Sequence, residues 1–207
     1  LVWIIVNVTS PLIRERAREA MLKRNDWKKN LILLFKMDKT RYKESLAKSF
    51  LEGEDWNDQN TLECIIEYVR GDVGREAAER LLLLLEPASA HEGQLSNFMW
   101  KCEEYPELQK TMAEKILNRP EECRDGNAFY LIVKSISDPS LKRMAGKIIL
   151  DRFPITHNLE IVIEQVPSLK KRAKEMLDEA EQVREKEPDR LLARILNFKI
   201  CFTKADK

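Results

Sequence analysis

The chain has few of the residues on which most catalytic and metal sites depend. Of its 207 residues only 2 are histidine, 4 are cysteine and 6 are glycine. His91 and His157 stand in unrelated surroundings, which excludes a zinc-protease helix and a histidine-based triad built from neighbouring residues. No glycine-rich run is followed by Lys-Ser or Lys-Thr, so there is no nucleotide-binding phosphate loop. We therefore predict a protein that is not an enzyme, with no catalytic residue, metal ligand, cofactor or small-molecule substrate.

The cysteines and the apolar runs indicate the cellular compartment of the protein. Cys64, Cys102, Cys123 and Cys201 are widely spaced and form no Cys-x-x-Cys pair. This spacing is typical of buried, reduced thiols in a cytosolic protein. The longest leucine run, Leu81–Leu85, is far shorter than the roughly 20 apolar residues that span a bilayer. We expect a cytoplasmic protein with no membrane partner.

Positive and negative charges are nearly equal in number. Lys and Arg number 36 and Asp and Glu 35, for a formal net charge of +1, so no global electrostatic argument favours a nucleic-acid or membrane-surface protein. Hydrophobic residues make up 43% and charged residues 34% of the chain, with only 6 Gly and 8 Pro. This composition favours a folded, helix-rich protein over a disordered one.

A pattern centred on alanine repeats along the whole chain. The clearest copies are Pro139–Ile149 and Pro167–Leu177, which both begin Pro-Ser-Leu-Lys. Pro106–Leu117 follows the same plan with one extra residue, and weaker copies lie at Pro11–Met21, Tyr42–Leu51 and Val73–Leu82. The central alanines stand 30, 31, 35, 32 and 28 residues apart. They are Ala17, Ala47, Ala78, Ala113, Ala145 and Ala173.

The residues that follow each alanine predict a helix with a buried seam. The residues three and four positions after the alanine are apolar in all six copies. Offsets of zero, three and four lie on one face of a helix. Because alanine is small, the pattern indicates a first helix that approaches another helix closely along this face.

A second helix is predicted in each repeat, after an asparagine that caps its first turn. The predicted caps are Asn30, Asn60, Asn127 and Asn158, with Gln94 and Asp189 in the weaker copies. We expect one helical-repeat domain with repeats over approximately 9–37, 38–71, 72–104, 105–138, 139–166 and 167–207, and a partial repeat at 1–8. Because 1–8 aligns with the second helix at 159–166, we also expect the chain to be a piece of a longer array.

Two of the repeats resemble a known family. Asp138–Leu150 and Gly71–Leu82 are similar to the Asp-x-x-Val-Arg-x-x-Ala-x-x-x-Leu helix of HEAT-like repeats. The acid is missing from most other copies, and the Leu-Gly that usually follows the helix is absent. The resemblance implies an all-α, right-handed α-solenoid of about six two-helix repeats of roughly 31 residues. It also implies a protein-binding scaffold, although one HEAT-like group, the alkylpurine DNA glycosylases, acts on DNA.

The position three residues before each alanine is basic in five of the six copies. We call these cations and their basic neighbours the basic ladder. Its candidate partner-binding residues are Arg14, Arg75, Lys110, Lys142, Arg143, Lys170 and Lys171. The ladder predicts contact with phosphates or with an acidic partner. The alternative is a structural role, in which these cations pair with acids of neighbouring repeats, for example those of the second helices.

The tryptophans are assigned structural roles. Trp27 and Trp56 each follow an aspartate just before a second helix, where a large apolar residue packs back onto the helix. Ile155 occupies the equivalent place. Trp100 and Tyr130 fall inside second helices and are predicted to lie in the core. The alternative for the first pair is an exposed aromatic anchor for a partner.

These observations predict a non-enzymatic protein–protein interaction scaffold, since solenoids leave long surfaces for binding. Two alternatives remain open. One is a nucleic-acid-binding or DNA-repair protein of the HEAT-like type that uses the basic ladder. The other is a regulatory domain of a larger protein.

Overall fold

The computed structural model describes residues 8–22, 42–53, 57–91 and 93–186. Within these residues the chain is α-helical between its turns, with a 3-10 turn at Pro167–Leu169 and no strand. The all-α prediction is confirmed. None of the described helices is long and apolar enough to cross a bilayer. Numbered in order through the described residues, the helices are α1 (Pro11–Leu22), α2 (Tyr42–Leu51), α3 (Gln59–Tyr68), α4 (Asp72–Leu84), α5 (Gln94–Lys101), α6 (Pro106–Asn118), α7 (Gly126–Ser135), α8 (Pro139–Arg152), α9 (Thr156–Gln165) and α10 (Lys170–Lys186).

Helices α1, α2, α4, α6, α8 and α10 lie where the alanine pattern predicts the first helices. Proline at the first helical position starts α6 and α8, where its missing N–H and fixed φ fit the first turn. Residue Pro167 instead begins the 3-10 turn that leads into α10. The partial repeat predicted at 1–8 and the second helices predicted after Asn30 and Asp189 lie outside the described residues, apart from Val8.

The six alanines of the pattern are all buried. Ala17 is 6% exposed and the other five are fully buried. Of the apolar residues that follow them, Phe50, Leu51 and Leu81 in the N-terminal half belong to the core, as does Ile149 further on. Ala20 is exposed, so the seam of α1 is less complete than the pattern predicts. Both following residues are buried in α2 and α6, one of the two is buried in α4 and α8, and in α10 Met176 and Leu177 are only half-buried.

The asparagine caps predicted at Asn60, Asn127 and Asn158 are wrong, because these residues lie inside their helices. Helix α3 is capped by Asp58, whose carboxylate accepts a hydrogen bond from the Thr61 N–H at 3.0 Å, and Asn60 lies inside the first turn. Asn158 is the third residue of α9 and is buried, and its Nδ2 donates to the Phe153 carbonyl at 3.0 Å. An aspartate accepts hydrogen bonds from free N–H groups as well as asparagine does and also favours the positive end of the helix dipole.

Asp125 caps two helices at once. Its Oδ1 accepts from the Asn127 N–H of α7 at 3.1 Å, and its Oδ2 accepts from the Ser96 N–H in the first turn of α5 at 3.0 Å. The side chain is buried, at 3% exposure. One carboxylate therefore fixes the starting points of two second helices, across the 29 residues that separate Asp125 from Ser96.

The chain divides into two compact bodies, an N-terminal body at 1–131 and a C-terminal body at 132–207. In the N-terminal body, consecutive helices pack together from α3 to α6, and alternate helices also touch: α2 with α4, α4 with α6, and α3 with α5. In the C-terminal body α9 packs on α8 and α10, and the 3-10 turn contacts all three of these helices.

The start of α4 requires a glycine at two places. Gly71 precedes the helix with φ +74, a conformation that residues with a Cβ rarely adopt. Gly74 lies so close to the chain before the helix that an added Cβ would stand 2.0 Å from the Val69 carbonyl oxygen and 2.6 Å from the Tyr105 hydroxyl. That hydroxyl donates a hydrogen bond to the Gly71 carbonyl at 3.3 Å. The turn between α3 and α4 and the start of α6 are therefore packed against one another through Gly74.

We predict that Gly74→Ala lowers the free energy of unfolding by about 1–3 kcal/mol, because backbone has to move to admit the methyl group. Gly146→Ala is the matched control within a helix. There the nearest atom to an added Cβ is a Leu169 side-chain methyl at 3.0 Å, which can shift by rotation. Urea denaturation of both variants checks the prediction, and equal losses would contradict it.

Candidate functional site

In the N-terminal body Arg75 and Lys110, the two ladder cations whose side chains the structure describes, are exposed and ion-paired. The Arg75 guanidinium lies 3.1 Å from Glu79 on its own helix and 3.1 Å from Glu107 on α6. The hydrogen bond to Glu79 and then the charge of Glu107 raise the pKa of Arg75. Lys110 has Glu114 one turn further along α6, at 3.9 Å. Acids of first helices, rather than those of the second helices, therefore provide the partners of Arg75.

In the C-terminal body the ladder residues form fewer ion pairs within the described residues. Lys142 is half-buried and donates to the Gln165 side chain at 2.9 Å. Arg143 and Lys170 are exposed and make no ion pair with any residue that the structure describes. Lys171 is 92% exposed and lies 3.9 Å from Glu175. The side chain of Arg14, the ladder cation of the first repeat in the N-terminal body, lies outside the described residues.

Two cations that the ladder prediction did not include have clear structural roles. Arg80 donates to the Leu51 carbonyl at 2.6 Å, at the end of α2. Lys115 donates to the Leu82 and Leu85 carbonyls at 3.2 and 2.7 Å, at the end of α4, and also lies 2.7 Å from Glu86. Both contacts satisfy carbonyls that a helix end leaves free and place a positive charge at the negative end of its dipole.

These capping cations share a sequence position that could have revealed them. Each lies two residues after the alanine of its repeat, and each binds the carbonyl of the residue four after the alanine of the repeat before it. The equivalent residue of the next repeat, Lys147, is also basic. Cations that contact a neighbouring repeat therefore occur two residues after the alanine, as Arg80 and Lys115 do, as well as three residues before it, as Arg75 does.

We predict that Lys115→Met lowers the free energy of unfolding by about 1–2 kcal/mol, because helix-end carbonyls lose their donor. Lys110→Met, on the same helix, removes an exposed ion pair and is expected to cost less than about 0.5 kcal/mol. Thermal or urea denaturation of the two variants measures the difference. A similar loss in both would show that the cap at the end of α4 contributes nothing specific.

A groove of about 400 Å³ opens between the C-terminal ends of α3 and α5. We call it the Trp100 groove. It is lined by Ile66, Glu67, Arg70, Trp100, Lys101, Glu103 and Glu104. Trp100 is 63% exposed, so the prediction that it belongs to the core is wrong. The adjacent Phe98 and Met99 are buried instead, and their burial directs Trp100 outward on this short helix.

Three ion pairs connect the two sides of the groove. Lys101 on α5 lies 2.6 Å from Glu67 and 4.0 Å from Glu63, both on α3, and the Lys101 side chain is only 12% exposed. Arg70, after the end of α3, pairs with Glu104 in the turn after α5. The lining holds three carboxylates and two cations, and Glu103 is exposed beside the paired groups. The groove is therefore fixed in position by charge pairs and slightly acidic.

The remaining aromatic predictions have mixed outcomes. Tyr130 is half-buried in α7. Ile155 is 61% exposed at the start of α9, so it does not pack back onto the helix as its position predicts. Trp27 and Trp56 lie outside the described residues.

The thiol of Cys102 is unsuited to nucleophilic chemistry. Cys64, Cys102 and Cys123 are buried and form no disulfide. Burial raises the pKa of Cys102 to about 12, so its thiol stays protonated at neutral pH. Among the residues that the structure describes, no group of three or more His, Cys, Asp and Glu side chains is placed to hold a metal ion.

Comparison of the chain with protein-family models, with curated proteins and with solved structures finds no match. Interpretation of the Trp100 groove and of the basic ladder therefore depends on the geometry and charge of these residues.

Proposed function

We propose that this chain is a non-enzymatic protein–protein interaction scaffold, built from HEAT-like helix pairs that stack as a right-handed α-solenoid. Support for the stacking comes from the N-terminal body, where first helices touch first helices and α3 touches α5. The buried alanines and the cations that cap the preceding first helix recur in the same phase from one repeat to the next. Solenoids use such nearest-neighbour contacts to form long binding surfaces.

The observation that carries the functional proposal is the exposure of Trp100 beside a groove. A tryptophan that is 63% exposed leaves a large apolar face in water, which favours burial against another molecule. Tryptophan and arginine are the residues most enriched among the energetically dominant contacts of protein interfaces. Arg70, in the same groove, provides the second of these residue types.

The charge of the groove favours a partner segment that presents an arginine or a lysine. The indole face attracts a cation, and the carboxylate of Glu103 lies in the same lining. The ion pairs of Lys101 and Arg70 already hold the surrounding helices, so little of the groove has to be ordered on binding. The partner is therefore a protein with a basic segment. The proposed location is the cytoplasm, in keeping with three buried thiols that form no disulfide.

Trp100→Ala is predicted to weaken binding of the partner by about 2 kcal/mol, or roughly thirtyfold in Kd, since the variant removes the central anchor. The partner is first isolated from a cell lysate on the immobilised protein, and its Kd is then measured by calorimetry with purified components. Substitution of the Arg or Lys residues in the partner's bound segment is expected to cause a comparable loss.

Leu83→Ala is the matched control, because Leu83 is also a large apolar residue on the N-terminal body and is 72% exposed. This variant is expected to retain the partner. Both side chains are mostly in water, so neither substitution should lower the melting temperature much. Equal binding by the Trp100→Ala variant and the unchanged protein would overturn the proposal.

A further inference from the structure

The C-terminal body carries a group of cations that the fold does not neutralise. We call Lys142, Arg143, Lys170 and Lys171 the C-terminal basic patch. Lys142 and Arg143 lie early in α8, and no acidic residue occurs between Pro139 and Leu150. Lys170 and Lys171 start α10, and no acidic residue occurs from Pro167 to Lys174. In α4 and α6 each ladder cation has an acid four residues later, whereas of the four patch residues only Lys171 has one, Glu175.

The two pairs of cations lie at the same end of the C-terminal body. The Lys142 ammonium donates to the side chain of Gln165, the last residue of α9, at 2.9 Å. The 3-10 turn that follows contacts α8 and leads directly into Lys170. The start of α8 therefore lies beside the connection at which α10 begins.

The acidic residues close to the C-terminal basic patch form contacts with other groups. The Asp138 carboxylate accepts from the Ser140 and Leu141 N–H groups at the start of α8. Asp151 lies 2.8 Å from Arg172. Glu164 accepts a hydrogen bond from the Gln165 amide. Among the residues that the structure describes, only Glu175 forms an ion pair with a patch residue, Lys171, and this pair is long and solvent-exposed.

The arrangement works against the stability of α10. Cations in the first turn are repelled by the positive end of the helix dipole, and Lys170 and Lys174 form a like-charge pair at i,i+4. Because the charge of Lys170 does not stabilise the helix that carries it, binding of an anionic group would offset this repulsion.

We propose that the C-terminal basic patch binds an acidic segment of a protein partner through several carboxylates. The patch is small, and the exposed Glu160 and Glu164 on α9 belong to the same body. A nucleic-acid site tracks a long phosphate backbone with an extended basic surface. A short carboxylate-rich segment therefore fits this surface better than a nucleic acid does. The patch is a different surface from the Trp100 groove, so either assignment can fail without the other.

The test uses the whole chain and a short fluorescein-labelled peptide of alternating Glu and Ser residues. Its binding is measured by fluorescence anisotropy at about 0.05 M salt, where charges are screened only beyond roughly 14 Å. The patch variant carries Arg143→Glu, Lys170→Glu and Lys171→Glu. The control variant carries Lys48→Glu, Arg119→Glu and Arg124→Glu, which change the net charge equally on exposed positions of the N-terminal body outside the basic ladder.

We expect the patch variant to bind the peptide at least about tenfold more weakly than the unchanged chain, which corresponds to roughly 1.4 kcal/mol. The control variant should change the Kd by less than about threefold. Equal weakening in both variants would show that only net charge matters, and it would overturn the proposal. The same conclusion would follow if the unchanged chain did not bind the peptide.

Duplex and single-stranded oligonucleotides are measured in parallel. Tighter binding of an oligonucleotide than of the peptide, lost in the patch variant, would replace the acidic protein segment by nucleic acid as the ligand. A short peptide of alternating Arg and Ser residues is the opposite-charge probe, and the patch variant should not weaken its binding.

Stability provides a second readout that separates lost binding from lost folding. Because Lys170 opposes the helix dipole and faces Lys174, Lys170→Glu alone is expected to raise the melting temperature by about 1–3 °C. It should weaken peptide binding at the same time. A lower melting temperature for this variant would overturn the argument that the charges of α10 are unfavourable for folding.

Discussion

The packing of the N-terminal body depends on hydrogen bonds that close the end of one first helix with a cation from the next first helix. A helix leaves its last carbonyls without partners, and these groups are costly when they are turned away from water. Arg80 satisfies the end of α2, and Lys115 satisfies the end of α4. The contacts fix which residues of neighbouring first helices lie opposite one another, and the buried alanines allow the helices to approach at that register.

The charges of this nearly neutral chain are divided among three kinds of contact. Some cap helix ends, as Lys115 does, and some pair one turn along a helix, as Arg75 does with Glu79. Others, such as Arg143 and Lys170, lie in stretches of helix without acids. A net charge of +1 therefore describes a balance over the whole chain but not over each surface. The acidic lining of the Trp100 groove and the C-terminal basic patch are opposite departures from that balance.

The first helices were predictable because alanine spacing and apolar periodicity both report the same buried face. The second-helix caps were not, since Asp58 and Asn60 are both good caps two residues apart and the sequence does not show which one meets a free N–H group. Trp100 is predicted to lie in the core because it falls inside a second helix, and only packing decides that Phe98 and Met99 are buried while the indole is exposed. The capping cations could have been found from their position two residues after the alanines. The carbonyls that they bind belong to the backbone, and no pattern of side chains in the sequence shows which ones they are.

The shared carboxylate of Asp125 couples the dynamics of two helices. If the first turn of α7 opens, the carboxylate can move and the Ser96 N–H loses its acceptor, although α5 itself remains folded. The start of α5 is then exposed to solvent through a motion of a segment 29 residues away in sequence. Amide hydrogen exchange at Ser96 therefore follows the opening of α7, and fraying of α5 alone does not determine its rate.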